Sequence, residues 1–124
     1  TLHYIDEGID TGPIIAQQII KVEPIDTAKD LYEKLIQAFP SLFFKTWPLI
    51  KSGKSISINQ DSKKSTFHLA KDFKNLDTLD LEKKYYPLDL INILRARTFN
   101  PHRQCYIYID GRKVGIRIEL EYID

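Results

Sequence analysis

The residues best suited to chemistry lie at one end of the chain, in HYIDEGIDTGPIIAQ (His3 to Gln17), where Asp6, Glu7 and Asp10 fall within five residues of one another beside Thr11 and Gly12. Carboxylates this close repel one another. Burying them would raise at least one pKa, as a proton acceptor working near neutrality requires. A solvated acidic turn accounts for the same spacing, and both readings stand on the residues alone. A calcium loop does not fit, because Glu7-Gly8-Ile9 breaks the alternation of ligands. A zinc site does not fit either, since His3, His68 and His102 are far apart and share no ligand spacing. No metal is expected. For His3 taken alone, a buried imidazole bonded to backbone is a better reading than any reaction role.

Something must hold that loop. Leu2 to Ile5 and Ile14 to Val22 read as two strands around it, and Gly8 and Gly12 permit backbone angles other residues resist. Asp26 or Thr27 can cap a helix whose apolar stripe is Ala28, Leu31, Tyr32, Leu35, Ile36 and Phe39. Pro40 is expected to kink or divide it before Leu42, Phe43, Trp47 and Ile50 resume an apolar face ending near Gly53. Trp47 and Phe43 are expected in the core. Residues 52–81 are polar and read mostly as loop. Pro87 suits a first helical turn, with Leu88, Ile91 and Leu94 following at helical spacing up to Arg95 and Arg97. The ending, CYIYID and KVGIRIELEY about Asp110-Gly111, predicts a hairpin whose second strand runs to Tyr122. A lone hairpin is marginal in water, so this one must pack on the rest of the chain or on a second copy.

The bulk numbers exclude several function classes. The chain has 124 residues, 43% hydrophobic, with Lys+Arg 18 against Asp+Glu 17 and a net charge of +1. That is the size of one domain, without the basic surplus that nonspecific nucleic-acid binding depends on. Cys105 is a single cysteine, so no intrachain disulfide can form, which fits a reducing, cytoplasmic setting. No apolar run approaches the roughly 20 residues that cross a bilayer.

The run from His3 to Gln17 resembles the later half of the catalytic domain of formyltetrahydrofolate-dependent formyltransferases. That family has a His opening the strand and an active-site Asp seven residues on, before a small residue and Gly. His3, Asp10 and Gly12 match it. STFHLAKDF (65–73), LDTLDL (76–81) and DLINILRARTF (89–99) look most like the branch that formylates amines on nucleotide-linked deoxysugars.

The resemblance implies an α/β protein: the C-terminal part of a Rossmann-like formyltransferase fold over residues 1–53, then a C-terminal subdomain over 54–124 with a helix and β-hairpin. It implies Asp10 as the catalytic residue, with His3, Thr11 and Gly12 supporting its loop. Asp6 and Glu7 are expected to be solvated or loop-shaping. His68 and Lys71 would meet a diphosphate, although an exposed basic loop reads as well. Arg95 and Arg97 would contact phosphate or simply offset a helix dipole.

The donor would be 10-formyltetrahydrofolate, bound mostly outside this chain, and the acceptor a nucleotide-linked amino sugar with its amine at C3 or C4. No N-x-H-P segment bearing the family's catalytic Asn and His occurs in the sequence. The chain is therefore expected to be part of a longer enzyme, inactive alone, forming a homodimer without nucleic-acid or membrane partners. A fragment of methionyl-tRNA formyltransferase and a noncatalytic dimerisation module are the competing expectations.

Overall fold

A computed structural model describes residues 1–66, 68–69, 76–101 and 104–123. The elements run β1 (Leu2–His3), β2 (Ile14–Ala16), α1 (Ala28–Lys51), a 3-10 turn (Ser62–Lys64), α2 (Pro87–Arg97), β3 (Cys105–Ile109) and β4 (Arg112–Ile116). They make two antiparallel two-stranded sheets, β1 with β2 and β3 with β4. The chain forms two compact units, one of residues 1–21 with 33–66, the other of residues 22–32 with 67–124.

In the first unit β1 and β2 are shorter than the apolar runs predicted, pairing only Leu2 with Ala16 and His3 with Ile14. The strand signal beyond Ala16 finds no partner, and Ile19 there is 95% exposed. Ile14 also exchanges both backbone bonds with Ile58, at 2.8 Å each, which carries the following segment to the edge of β2.

α1 begins with a reciprocal cap. The Thr27 amide and hydroxyl donate to Asp30 Oδ2 (2.8 and 2.6 Å), and the Asp30 amide returns a bond to Thr27 Oγ1 at 3.4 Å. The expected division at Pro40 does not occur: the helix runs unbroken through Pro40 and Pro48 to Lys51. Each proline frees the carbonyl four residues earlier. Ile36 and Phe44, which carry those carbonyls, are exposed, so water can take the lost bonds. Termination comes instead from Gly53 at φ +69°. The Gly53 amide donates to the Ile50 carbonyl (3.0 Å) and the Lys54 amide to that of Leu49 (2.9 Å), a Schellman ending.

The second unit starts α2 with Pro87 in its first turn, after Tyr86 in extended backbone. The β3–β4 hairpin turns on Asp110 (φ 48°) and Gly111 (φ 73°), the pair of left-handed residues of a type I′ turn. β4 stops at Ile116, short of the predicted Tyr122, its last pair being Ile116 with Cys105, the first residue of β3. Alternation persists without pairing: Ile116, Ile118 and Leu120 are half-buried while Arg117 and Glu119 are exposed. Cys105 is fully buried, and desolvation, with the Asp77 carboxylate nearby, pushes its thiol above the ordinary range. Arg97 Nε stands 3.5 Å from Asp77 Oδ1.

Trp47 is not in a core here. It is 46% exposed, stacked on Phe43 with centroids 5.5 Å apart, and Leu35, Ile36, Phe39 and Phe44 share its exposure.

Replacing Gly53 by Ala places a Cβ on a left-handed residue with nothing within 4 Å to support it. The expected outcome in denaturant unfolding is a loss of about 1–2 kcal/mol with no change in the rest of the fold.

Candidate active site

Between β1 and β2 the chain must leave and return within ten residues, and the acidic loop does so on its own polar atoms. Asp6 organises it. Its Oδ1 accepts from the Gly8 amide (3.0 Å) and from Thr11 Oγ1 (2.6 Å). The Thr11 hydroxyl and then the Gly8 amide hold the Asp6 carboxyl below the usual carboxylate range, the reverse of the rise that burial would have produced. Asp6 is thus loop-shaping.

The backbone angle that the loop requires falls on Asp10, at φ 55°, and not on the glycines. Asp is among the residues that tolerate this region, at a cost of about 1 kcal/mol. Gly12 serves through its missing side chain: a Cβ there would come 1.7 Å from the Tyr4 carbonyl oxygen. The Tyr4 amide meets the Pro13 carbonyl at 3.0 Å, so backbone lies directly on backbone. The conformational freedom predicted for Gly8 and Gly12 is therefore not what the loop uses; at both positions what matters is space.

His3 Nδ1 lies 2.8 Å from the Tyr4 carbonyl. A carbonyl only accepts, so Nδ1 carries a hydrogen and Nε2 is left without one in the neutral ring. Nε2 stands 3.7 Å from Asp10 Oδ1, inside ion-pair range and beyond hydrogen-bond range. The Asp10 side chain is 88% exposed. The site is an exposed carboxylate at a fixed point of backbone, backed by an imidazole whose tautomer the main chain sets. Such a carboxylate can accept or relay a proton, or charge and orient an imidazole brought against it.

One residue that sequence reasoning passed over touches this loop. Gln60 Nε2 donates to the carbonyls of Asp10 (2.8 Å) and Gly12 (2.7 Å). Fifty residues of separation leave no local signal for it.

His68 is exposed in the second unit, and Lys71 lies outside the described residues. The Arg95 guanidinium donates to the Pro24 carbonyl, and Arg97 faces Asp77. Among the described residues no three His, Cys, Asp or Glu side chains gather as metal ligands, and no helix is long and apolar enough to cross a membrane.

Comparison with known proteins gives two family matches. Residues 1–46 match the formyl transferase model, and residues 72–122 match the N-formyltransferase dimerization C-terminal domain. The dTDP-4-amino-4,6-dideoxyglucose formyltransferase of Mycobacterium bovis is 33% identical over 98% of this chain and 52% of its own length. A 4-N formyltransferase structure from Francisella tularensis superimposes with a TM-score of 0.90 at 33% identity, covering 98% of this chain and 50% of that one. An N-formyltransferase from Helicobacter canadensis, solved with folinic acid and dTDP-3-aminofucose, gives 0.73 at 30% identity over 90% and 40%. Methionyl-tRNA formyltransferase of Lachnospira eligens is 28% identical over 90% of this chain and 34% of its own length. The chain spans about half the length of the first of these relatives.

Because Thr11 is the largest cause of the depressed Asp6 titration, Thr11→Val is expected to move the Asp6 pKa upward toward the ordinary carboxylate value. Carbon-detected NMR titration of the carboxyl checks this. The depressed native value means that Asp6 stabilises the loop fully above the unfolded carboxylate's titration and loses that contribution as pH falls through the lower folded value. In the valine variant that contribution should be smaller, and its loss should be complete at a higher pH.

Proposed function

We propose that this chain, which belongs to the formyltransferase family, is the C-terminal part of an N-formyltransferase acting on the amine of a nucleotide-linked amino-deoxysugar, with 10-formyltetrahydrofolate as formyl donor. In this reading residues 1–53 complete a Rossmann-like catalytic domain and 54–124 form the C-terminal subdomain. The two family models match in that order along the chain. Of the relatives compared above, the two whose printed names include an amino sugar share more identity with it than the methionyl-tRNA enzyme does.

The chemistry needs the amine nitrogen to attack the formyl carbon, that carbon to leave the donor nitrogen, and one proton to pass from the amine toward the departing nitrogen. An oxyanion forms on the way and needs a donor beside it. The observation that carries the reading is Asp10: its exposed carboxylate is held at a left-handed backbone position. A preceding half of the enzyme would bring a catalytic imidazole against it. Asp10 would then orient and charge that imidazole and help relay the proton, while His3, Thr11 and Gly12 keep the loop in shape.

The uncovered apolar face of α1 supports the same reading. A groove lined by Ile20, Leu35, Ile36, Phe39 and Leu42 lies on the first unit, where a further β/α segment of the catalytic domain would pack. His68 and Lys71 are proposed to meet the sugar nucleotide's diphosphate. Arg95 and Arg97 belong to the same proposed set, with their intramolecular partners noted above. The hairpin, with Tyr108, Ile109 and Val114 exposed, is proposed to face a second copy. This reading leads us to expect a dimer in sedimentation, and a strictly monomeric particle counts against it.

In the enzyme carrying its donor-binding half, Asp10→Asn is expected to lower kcat at least about a hundredfold with KM little changed. Chromatography of the formylated sugar measures it, and near-normal turnover removes Asp10 from the mechanism. Transfer to initiator methionyl-tRNA in preference to a dTDP-linked amino sugar would overturn the acceptor class.

A further inference from the structure

Gln60 is remote from the loop in sequence and joins it at two points. Its carboxamide nitrogen reaches the carbonyl oxygens of Asp10 at 2.8 Å and Gly12 at 2.7 Å, the residues on either side of Thr11. Both partners only accept, so the amide orientation is fixed: the NH2 group faces the loop and uses both its hydrogens there. Gln60 is itself delivered by backbone. Ile58, two residues earlier, is tied to Ile14 by a reciprocal pair of 2.8 Å bonds at the edge of β2. The loop is therefore closed from inside by Asp6, through Thr11 Oγ1 and the Gly8 amide, and from outside by Gln60.

The two closures act on different things. Asp6 sets the width of the turn. Gln60 fixes the rotation of the Asp10 and Gly12 carbonyls, and with it the left-handed backbone of Asp10, φ 55°, from which the exposed carboxylate projects. Without that restraint the Asp10 peptide is free to return toward the more populated right-handed or extended regions, swinging the carboxylate through ångströms.

We propose that Gln60 is a positioning residue for Asp10, acting on turnover by holding the Asp10 peptide in its left-handed geometry and touching neither substrate. The proposal rests on the reading of Asp10 as the catalytic group, and its test separates the two.

The test uses the enzyme with its donor-binding half and compares Gln60→Leu, Gln60→Glu, Asp10→Asn and the double variant Asp10→Asn with Gln60→Leu. Gln60→Leu removes the donors at similar size, while Gln60→Glu sets a carboxylate against two carbonyls and should act more strongly. The expected result is a kcat lowered about tenfold to a hundredfold in Gln60→Leu, with KM for both substrates within about twofold. In the double variant, kcat should fall no further than in Asp10→Asn alone.

Unchanged kcat in Gln60→Leu overturns the proposal, as does a loss in the double variant that multiplies the single losses, since Gln60 would then act independently of Asp10. Failure of both Gln60 variants to fold overturns it too, because the clamp would be structural only. Near-normal turnover in Asp10→Asn removes the catalytic reading itself, whatever the Gln60 variants do.

Discussion

The apolar face of α1 is the constraint on which the rest depends. A 24-residue helix carries Tyr32, Leu35, Ile36, Phe39, Phe44, Trp47 and Leu49 exposed. Burial of apolar area is the main favourable term in folding, at roughly 25 cal/mol per Å². Among the described residues Cys105 is the one hydrophobic side chain fully withdrawn from water. Under the proposed reading this face is where a further part of the catalytic domain packs; the chain spans about half the length of the relatives it matches.

The loop between β1 and β2 follows a different logic. It buries almost nothing and is shaped by hydrogen bonds to a few polar atoms, which individually contribute only about 0.5–1.5 kcal/mol each. Its geometry is therefore fixed by number and direction of bonds. Three acceptor and donor groups, on Asp6, Thr11 and Gln60, together with the absence of a Cβ at Gly12, leave the backbone one route between the strands. Asp10 is the residue placed at the point where that route turns left-handed.

Where the sequence reports local chemistry it was legible. The Thr27 cap, the Gly53 ending, Pro87 in the first turn of α2 and the Asp110-Gly111 hairpin each depend on residues within a few positions of one another. The loop between strands was legible for the same reason. Pro40 misled, because its effect depends on whether water can reach the carbonyl it frees, and exposure is not written in a helical period. The strand ends misled because pairing needs a partner: Ile19 and Tyr122 have apolar or aromatic side chains and, among the described residues, no strand paired with them. Gln60 was invisible, its partners lying 48 and 50 residues away. The glycines of the loop were noticed for the wrong property, freedom of rotation in place of lack of bulk.

Cys105 gives the second unit a private chemical clock. Its thiol is sealed from water, its ionisation is disfavoured by its surroundings, and the chain contains no other sulfur, Met being absent as well. An alkylating reagent can reach it only when β3 comes away from its neighbours. The speed at which the molecule takes up one label therefore reads the opening of the unit that holds the hairpin, with no competing signal from anywhere else in the chain.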